Sequence, residues 1–248
     1  MKKKIIGAIL TYNHAKTIED TFKRVDKEFF DEIIIFDDSS KDETAEIALK
    51  FGIKVIKNKI NLGHGGNLKK ALSYSFNKGA DFVVEIHGDG QYDPNTIKDH
   101  LSKLENDNDL IIGSRFVNKN PFKSDGMPFM RYLTNLIFSK ITSFLLNINL
   151  TEFHTGYKIF GRKFYNIVPF EKCSNNYLFS FQVILQAKFF NLSIDEISIK
   201  SKYDKDSTSC GYFNGFLYLI GNIKYILFFI LAKIPFFIHE IYSQKKLK

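Results

Sequence analysis

Between residues 5 and 114 short apolar runs alternate with amphipathic stretches, and this alternation restricts the fold more than any other feature of the chain. Runs apolar at every position, such as Ile33 to Phe36, suit strands buried on both faces, and stretches with apolar residues three and four apart suit the helices that cover them. Strands are expected at 5–11, 32–37, 54–56, 81–86 and 110–114, and helices near 17–27, 44–51, 67–77 and 94–104. Gly52 and Gly79 stand where helix C-termini favour glycine. The pattern is that of βαβ units closing a mostly parallel, doubly wound α/β sheet flanked by helices.

In such sheets ligands bind beyond the carboxyl ends of the strands, so the residues after each strand carry most of the functional information. Here they are polar: Thr11-Tyr12-Asn13, Asp37-Asp38-Ser39-Ser40, Asn61 to Gly66, and His87-Gly88-Asp89-Gly90-Gln91. After Ser114 comes a loop with Pro121, Gly126 and Pro128, long enough for a functional lid, and then a helix expected at 131–146. Beyond Tyr212 the composition turns to Phe, Leu, Ile and Tyr. The longest uncharged apolar run there, 225–232, is bounded by Lys224 and Lys233 and followed by Pro235, which does not fit a simple membrane span. A pair of interfacial helices is expected instead, with snorkelling lysines and the closing Lys245-Lys246-Leu247-Lys248 against anionic lipid; packing on a partner subunit is the alternative. The chain thus divides into 1–211 and a membrane-associating 212–248.

A chain of 248 residues with 44% hydrophobic content can bury one large domain with an appendage. Its 35 Lys and Arg against 27 Asp and Glu give a net charge of +8, which suits a phosphate-bearing partner: nucleotide, nucleic acid or anionic lipid. Cys173 and Cys210 lack zinc-site spacing and read as reduced thiols. The early apolar stretch 5–10 is cut short by Asn13, His14 and Lys16, so no signal-peptide core is expected and the protein belongs at the cytoplasmic face of the membrane, peripheral or monotopic.

Three of the polar segments carry chemistry. Asp37-Asp38-Ser39-Ser40 brings two adjacent carboxylates to the sheet edge, where base, ribose or metal ligands can take them up; Ser40 with Glu43 also reads as a helix capping box, and both roles can hold together. Asn61-Leu62-Gly63-His64-Gly65-Gly66-Asn67 is a glycine-rich turn entering a helix, either a plain turn or a place where free backbone N–H groups favour phosphate. In His87-Gly88-Asp89-Gly90-Gln91, an extended backbone would turn His87, Asp89 and Gln91 the same way, with glycines admitting a diphosphate. A divalent ion, Mg²⁺ or Mn²⁺, held there by oxygen ligands would clamp the phosphates of a donor.

Taken in order, Leu10-Thr11-Tyr12-Asn13, Asp37-Asp38-Ser39-Ser40-Lys41-Asp42-Glu43-Thr44, Asn61-Leu62-Gly63, Asp89-Gly90-Gln91-Tyr92-Asp93-Pro94, Gly113-Ser114-Arg115-Phe116 and His154-Thr155-Gly156-Tyr157-Lys158 make residues 5 to 210 similar to family 2 glycosyltransferases, in particular the dolichyl-phosphate mannosyltransferase-like branch. The resemblance implies a GT-A-type, Rossmann-like fold and an inverting transfer of a hexose from a GDP- or UDP-sugar to a polyprenyl phosphate or lipid-linked glycan. It implies that the nucleotide meets Thr11, Tyr12, Asn13, Asp37, Asp38, Gly63 and Lys69, that Asp89 and Gln91 ligate the metal, and that Arg115 and Arg131 handle phosphate. Glu152 is the candidate base or acceptor-positioning group, with a structural salt bridge as its alternative, and His154, Thr155 and Lys202 fall on the acceptor side. Two positions depart from the family pattern: His87 replaces the first acidic residue of the usual Asp-x-Asp, where neutral imidazole can still bind metal, and His14 replaces the usual Glu.

Other readings are a glycosyltransferase using a non-lipid saccharide acceptor in surface polysaccharide synthesis, and a sugar-phosphate nucleotidyltransferase. The latter needs a Gly-rich signature with a basic residue close behind the first strand, which residues 11 to 20 lack. A nucleic-acid partner is not expected, because the aromatics gather in the C-terminal apolar segment instead of interleaving with Arg. Self-association into a homo-oligomer is compatible with the sequence.

Overall fold

Seven strands form one sheet in the order β3-β2-β1-β4-β6-β5-β7. The computed structural model describes residues 2–106, 108–203, 212–234, 236 and 239–243. β1 (Ile5–Thr11) pairs in parallel with β2 (Glu32–Asp37) on one edge and β4 (Phe82–His87) on the other, and β3 (Lys54–Lys57) extends the β2 side. β5 (Leu110–Ser114) and β7 (Ile194–Ser198) pair in parallel, while β6 (Lys158–Gly161) runs antiparallel between β4 and β5.

Every residue of β1 is buried, which is why that run carries no polar alternation. Ile6, Ala8 and Leu10 face one core with α3 (His64–Asn77), α7 (Arg162–Ile167), α8 (Leu178–Phe189) and α9 (Tyr212–Leu231). Ile5 and Ile9 face the other, with α1 (Ile18–Arg24), α2 (Thr44–Lys50) and the single turn Thr96–His100 that runs into α4 (Leu101–Glu105). The loop after β5 carries α5 (Pro121–Ser124), capped by the Asn120 side chain, and leads to α6 (Phe129–Leu146). Asp125 in that loop accepts the Ser201 backbone N–H at 3.1 Å and pairs with Lys119 at 2.6 Å, so the segment expected as a lid is tied down in this conformation.

Several expectations need correction. The glycine turn belongs to α3 itself, which begins at His64. The 94–104 helix is a tighter turn followed by a short helix. β6 was not expected: its apolar run is only Ile159-Phe160, yet all of its residues are buried, Lys158 included. α8 was not expected either, because it is enclosed on nearly every side and so shows no helical period. Among the described residues the C-terminal segment holds one continuous helix, α9, of 20 residues and a single turn at Glu240–Tyr242 in place of the expected helix pair, and the α9 stretch Asn214–Leu231 is long and apolar enough to cross a membrane by length and composition. Ile226 and Phe229 on its inner side join the first core. Pro235, Cys210 and Lys245-Lys246-Leu247-Lys248 lie outside the described residues. Cys173 is buried and its thiol, pushed up by burial, contacts Gln186 Oε1 at 3.1 Å.

Phe160 sits mid-strand in β6 with no exposure, opposite Val83 on one side and Leu110 on the other. Phe160→Ala should cost about 3–5 kcal/mol of unfolding free energy in urea titration. A loss below about 1 kcal/mol would mean that β6 is not a packed element of the sheet.

Candidate active site

The sheet switches direction between β1 and β4, and the polar loops at the carboxyl ends of β1, β2 and β4 meet there: Asp38 N–H donates to Thr11 O and Gly88 N–H to Leu10 O, each at 2.8 Å. The first two loops are bonded to each other. Asn13, in the left-handed region at φ 56°, donates its N–H to Ser40 Oγ at 2.9 Å and accepts Lys41 N–H at 2.8 Å. His14 N–H donates to Thr44 Oγ1 at 2.8 Å, and Ala15 N–H to Asp42 at 3.0 Å. Thr11 is buried, with its hydroxyl 3.2 Å from His14 Nδ1. Tyr12 projects, 39% exposed, as a ring on which a base can stack. The expected Ser40–Glu43 capping box does not form; Asp42 accepts the Thr44 N–H at 3.1 Å instead.

The two aspartates divide their work. Asp37 has no exposure, accepts the Ser40 N–H at 3.2 Å and the Ser40 hydroxyl, and lies 3.7 Å from Lys57. Asp38 accepts the N–H of Leu62 at 2.8 Å, that of Gly63 at 2.9 Å and the Asn58 amide at 2.8 Å. These bonds favour the plain-turn reading of the glycine segment: Leu62 and Gly63 give their N–H groups to Asp38, Gly66 gives its own to Asn175 O and Asn67 to Gly63 O. Gly63, at φ 79°, has no room for a Cβ, which would lie 2.5 Å from Asn175 O. Lys69 is likewise corrected: its ammonium holds Cys173 O and Asn175 Oδ1, anchoring the 173–175 loop and leaving the nucleotide side.

The segment after β4 is a turn, not an extended strand. Gly90 N–H donates to His87 O at 3.2 Å, Gly90 has φ 68°, and the hydroxyls of Thr17 and Thr21 hold Gly88 O at 2.9 and 3.2 Å. His87 therefore parts from Asp89 and Gln91, contrary to the expected shared direction. Asp89 is buried at 8% exposure, accepting Gln91 N–H at 3.0 Å, and Gln91 is half-buried beside it. His14 faces this carboxylate; burial holds its pKa below the ordinary value although Asp89 opposes the shift. His87 points inward to Glu85, 3.1 Å away, whose charge outweighs burial and raises the imidazole pKa. His64 approaches the same carboxylate at 3.3 Å and is pushed down to about 4 by burial.

The acceptor-side residues close on this turn. Lys202 N–H donates to Gln91 O at 2.9 Å, and Ser201 bridges Tyr92. Arg115, buried, grips Glu152 with Nε at 2.8 Å and with its terminal nitrogen, donates its backbone N–H to the same carboxylate at 2.7 Å, and reaches Tyr203 Oη at 2.7 Å. This is the structural salt bridge that was the alternative for Glu152, and it engages the Arg115 guanidinium that was expected to handle phosphate. Arg131 does stand free of carboxylates among the described residues, its guanidinium 5.9 Å from the Tyr203 ring centre. Thr155 is buried and His154 is half-buried among aromatic rings. His154 packs against Phe138, Phe181 and Tyr218, and Thr155 Oγ1 accepts Tyr157 N–H at 3.1 Å. Lys158, pushed down to about 8 by burial, donates to Thr155 O at 2.5 Å. Glu85 was missed; its signal was a lone carboxylate two places before His87 in an otherwise apolar strand.

The sequence model of the family described as Glycosyl transferase family 2 matches residues 8–167. A UDP-N-acetylglucosamine–dolichyl-phosphate N-acetylglucosaminyltransferase of Methanococcus voltae is 28% identical over 230 residues, covering 85% of this chain and 91% of that one. A dolichol-phosphate mannosyltransferase of Pyrococcus furiosus is 32% identical over 138 residues, 52% of this chain and 38% of that one. Among solved structures, glucosyl-3-phosphoglycerate synthase from Mycobacterium tuberculosis, in complex with Mn²⁺, UDP and glucosyl-3-phosphoglycerate, superposes with a TM-score of 0.66 at 15% identity, covering 93% of this chain and 80% of that one. That likeness is one of fold, GT-A.

Removing one member of the buried Arg115–Glu152 pair strands the other charge, so Glu152→Gln should lose about 3–5 kcal/mol in urea titration, and Arg115→Met combined with Glu152→Leu should lose less than the sum of the single changes. Additive losses would mean that the pair is not coupled. His154 is held down to about 3, first by burial and then by the Arg115 and Lys158 charges. An unfolded histidine titrates near 6.5, so stability from this site is complete above that pH and falls as the pH drops towards 3. His154→Phe should flatten that fall, gaining about 1–2 kcal/mol on wild type at pH 5 relative to their difference at pH 8. Parallel pH profiles for the two chains would rule this out.

Proposed function

The chain belongs to glycosyl transferase family 2, and we propose that it moves a hexose from a nucleoside-diphosphate sugar to a polyprenyl phosphate at a membrane surface. The observation that carries this reading is the junction of Gln91 with Lys202: one backbone hydrogen bond joins the Asp89 turn to the 200–203 strap, where Tyr203 and Arg131 stand. On one side of it lie the projecting Tyr12 and the polar loops after β1 and β2, suited to a nucleotide; on the other lies Arg131, a cation without a carboxylate partner among the described residues, suited to an acceptor phosphate.

The Asp89 carboxylate and the Gln91 amide are oxygen donors that would hold Mg²⁺ or Mn²⁺, which when bound would supply charge neutralisation to the departing diphosphate. The acceptor phosphate oxygen attacks the anomeric carbon as the bond from that carbon to the diphosphate oxygen breaks, its electron pair leaving with the nucleotide and the configuration inverting. An acceptor phosphate is already anionic near neutral pH, so no proton has to be removed. This agrees with a Glu152 that is paired with Arg115 and placed to hold the loop after β5 in position.

Apolar exposure supports the membrane half of the reading. In α6, Phe129, Leu133, Ile137, Ile141 and Leu145 are exposed at every fourth position, and Phe144 is 86% exposed. The outer side of α9 adds Phe216, Ile220, Ile223 and Leu227. Such patches mark a membrane or partner contact. We therefore assign catalysis to 1–211 and, with α6, membrane contact to 212–248, with the nucleotide site on the cytoplasmic side.

Transfer from a panel of UDP- and GDP-sugars to polyprenyl phosphate, with Mg²⁺ or Mn²⁺, tests the reading; equal turnover on free saccharides without lipid would replace it with a polysaccharide-building activity. Asp89→Asn should lower transfer at least about 10²-fold while keeping the unfolding midpoint. Near-normal turnover with unchanged metal dependence would remove Asp89 from the site. Ile137→Asp with Ile141→Asp should abolish co-flotation with anionic liposomes at unchanged stability, and flotation equal to wild type would show that α6 does not meet the bilayer.

A further inference from the structure

Glu85 is the least expected charge in the molecule. It has no exposure, sits mid-strand in β4 among Val83, Val84 and Ile86, and its Oε2 has no hydrogen-bond partner among the described residues. A carboxylate buried that deeply needs compensation. Lys158, the neighbouring buried cation, gives its ammonium to Thr155 O instead. What surrounds Oε1 is a pair of imidazoles. The pleat places His87 on the same face as Glu85, two residues on, with Nε2 at 3.1 Å, and the first residue of α3 brings His64 Nε2 to 3.3 Å. The three candidate ligand atoms lie within 4.8 Å of one another.

The geometry points to His64, Glu85 and His87 as a site for a borderline divalent transition ion, zinc in the first place, distinct from the oxygen-rich Asp89 and Gln91 turn. Ligand atoms around a tetrahedral zinc, with bonds of about 2.0–2.1 Å, lie about 3.3–3.4 Å apart. Both distances to Glu85 are close to that already. Two imidazoles and one carboxylate form a donor set that favours zinc, cobalt or nickel over magnesium. The supports of such a site are in place as well. Gly156 backs the His87 ring so closely that a Cβ at position 156 would lie 2.3 Å from its Cε1, which fixes the ring's position. The His64 and His87 side chains keep 14% and 19% exposure, which leaves an entry path and a direction for a fourth ligand. Ser180 Oγ lies 3.4 Å from His64 Nε2 on that side. An ion here would join β4 to the start of α3. Because His87 O also receives the Gly90 N–H, it would brace the Asp89 turn from behind without touching substrate. The inference does not depend on the identity of donor or acceptor.

The test is calorimetric titration of Zn²⁺ into the full-length chain with excess Mg²⁺ covering the oxygen site. One equivalent should bind, with affinity kept in Asp89→Asn and weakened more than about 10- to 100-fold in His64→Gln and in Glu85→Gln. At a hundredfold excess over Kd, Zn²⁺ should raise the wild-type unfolding midpoint by about 5–10 °C, reversed by chelation. Cobalt in the wild-type chain reads the donor set without any variant that could misfold: intense visible bands of a four-coordinate ion support the site, and the weak bands of a six-coordinate oxygen shell overturn it. Failure of wild type to bind Zn²⁺, or binding that survives both variants and disappears in Asp89→Asn, also overturns it; Glu85 would then be balanced by a protonated His87 alone.

Discussion

Everything at the functional edge depends on β1 having neighbours whose connections leave in opposite directions. β2 and β3 continue the chain to one side, β4 restarts it on the other, and the crossovers cannot close over the gap between them. Because β1 is buried on both faces and paired along both edges, its last residues are fixed in position to the limit of core packing. Tyr12, Asp89 and the loops that brace them inherit that rigidity.

The buried carboxylates show how the edge is organised. Asp37, Asp38, Glu85 and Glu152 are all withdrawn from water, and each is balanced differently: by a local hydroxyl and amide, by the N–H groups of a neighbouring turn, by imidazoles, and by a guanidinium. Withdrawing a charge costs several kcal/mol unless its lone pairs are met, so these groups are committed to structure before any substrate arrives. The charges left for ligands are fewer than the sequence suggests. Arg131, beside the Tyr203 ring, has no carboxylate partner among the described residues, and the Asp89 turn is bonded to the 200–203 strap through Gln91.

Much of this was legible in advance, for physical reasons that differ by element. β1, β2 and β5 stand where their apolar runs put them, because strands buried on both faces leave an unbroken signature. β6 left almost none, since its four residues include a lysine whose burial depends on a carbonyl three residues upstream. α8 hid for another reason: Ser180, Gln182 and Gln186 are buried along with its apolar residues, so no polar face marks a period. The motifs located the edge correctly but not the direction of each side chain. Whether Leu62 and Gly63 present their N–H groups to phosphate or to Asp38 is decided by a contact across 24 or 25 positions, and local pattern carries no trace of it. The shared direction expected of His87, Asp89 and Gln91 fails because alternation was extrapolated beyond His87, the last residue of β4, into a turn closed by Gly90.

α9 has two apolar sides with different owners. Ile226 and Phe229 complete the core beneath α8, while Ile223, Leu227 and Ile230 face outward. Whatever covers the outer side binds the folded chain, and only the folded chain holds that side together as one surface. By linkage, its free concentration then adds to the stability of the sheet some distance away. The melting behaviour of this protein is therefore a property of the chain and its surroundings jointly, and a midpoint measured in one amphiphile does not transfer to another.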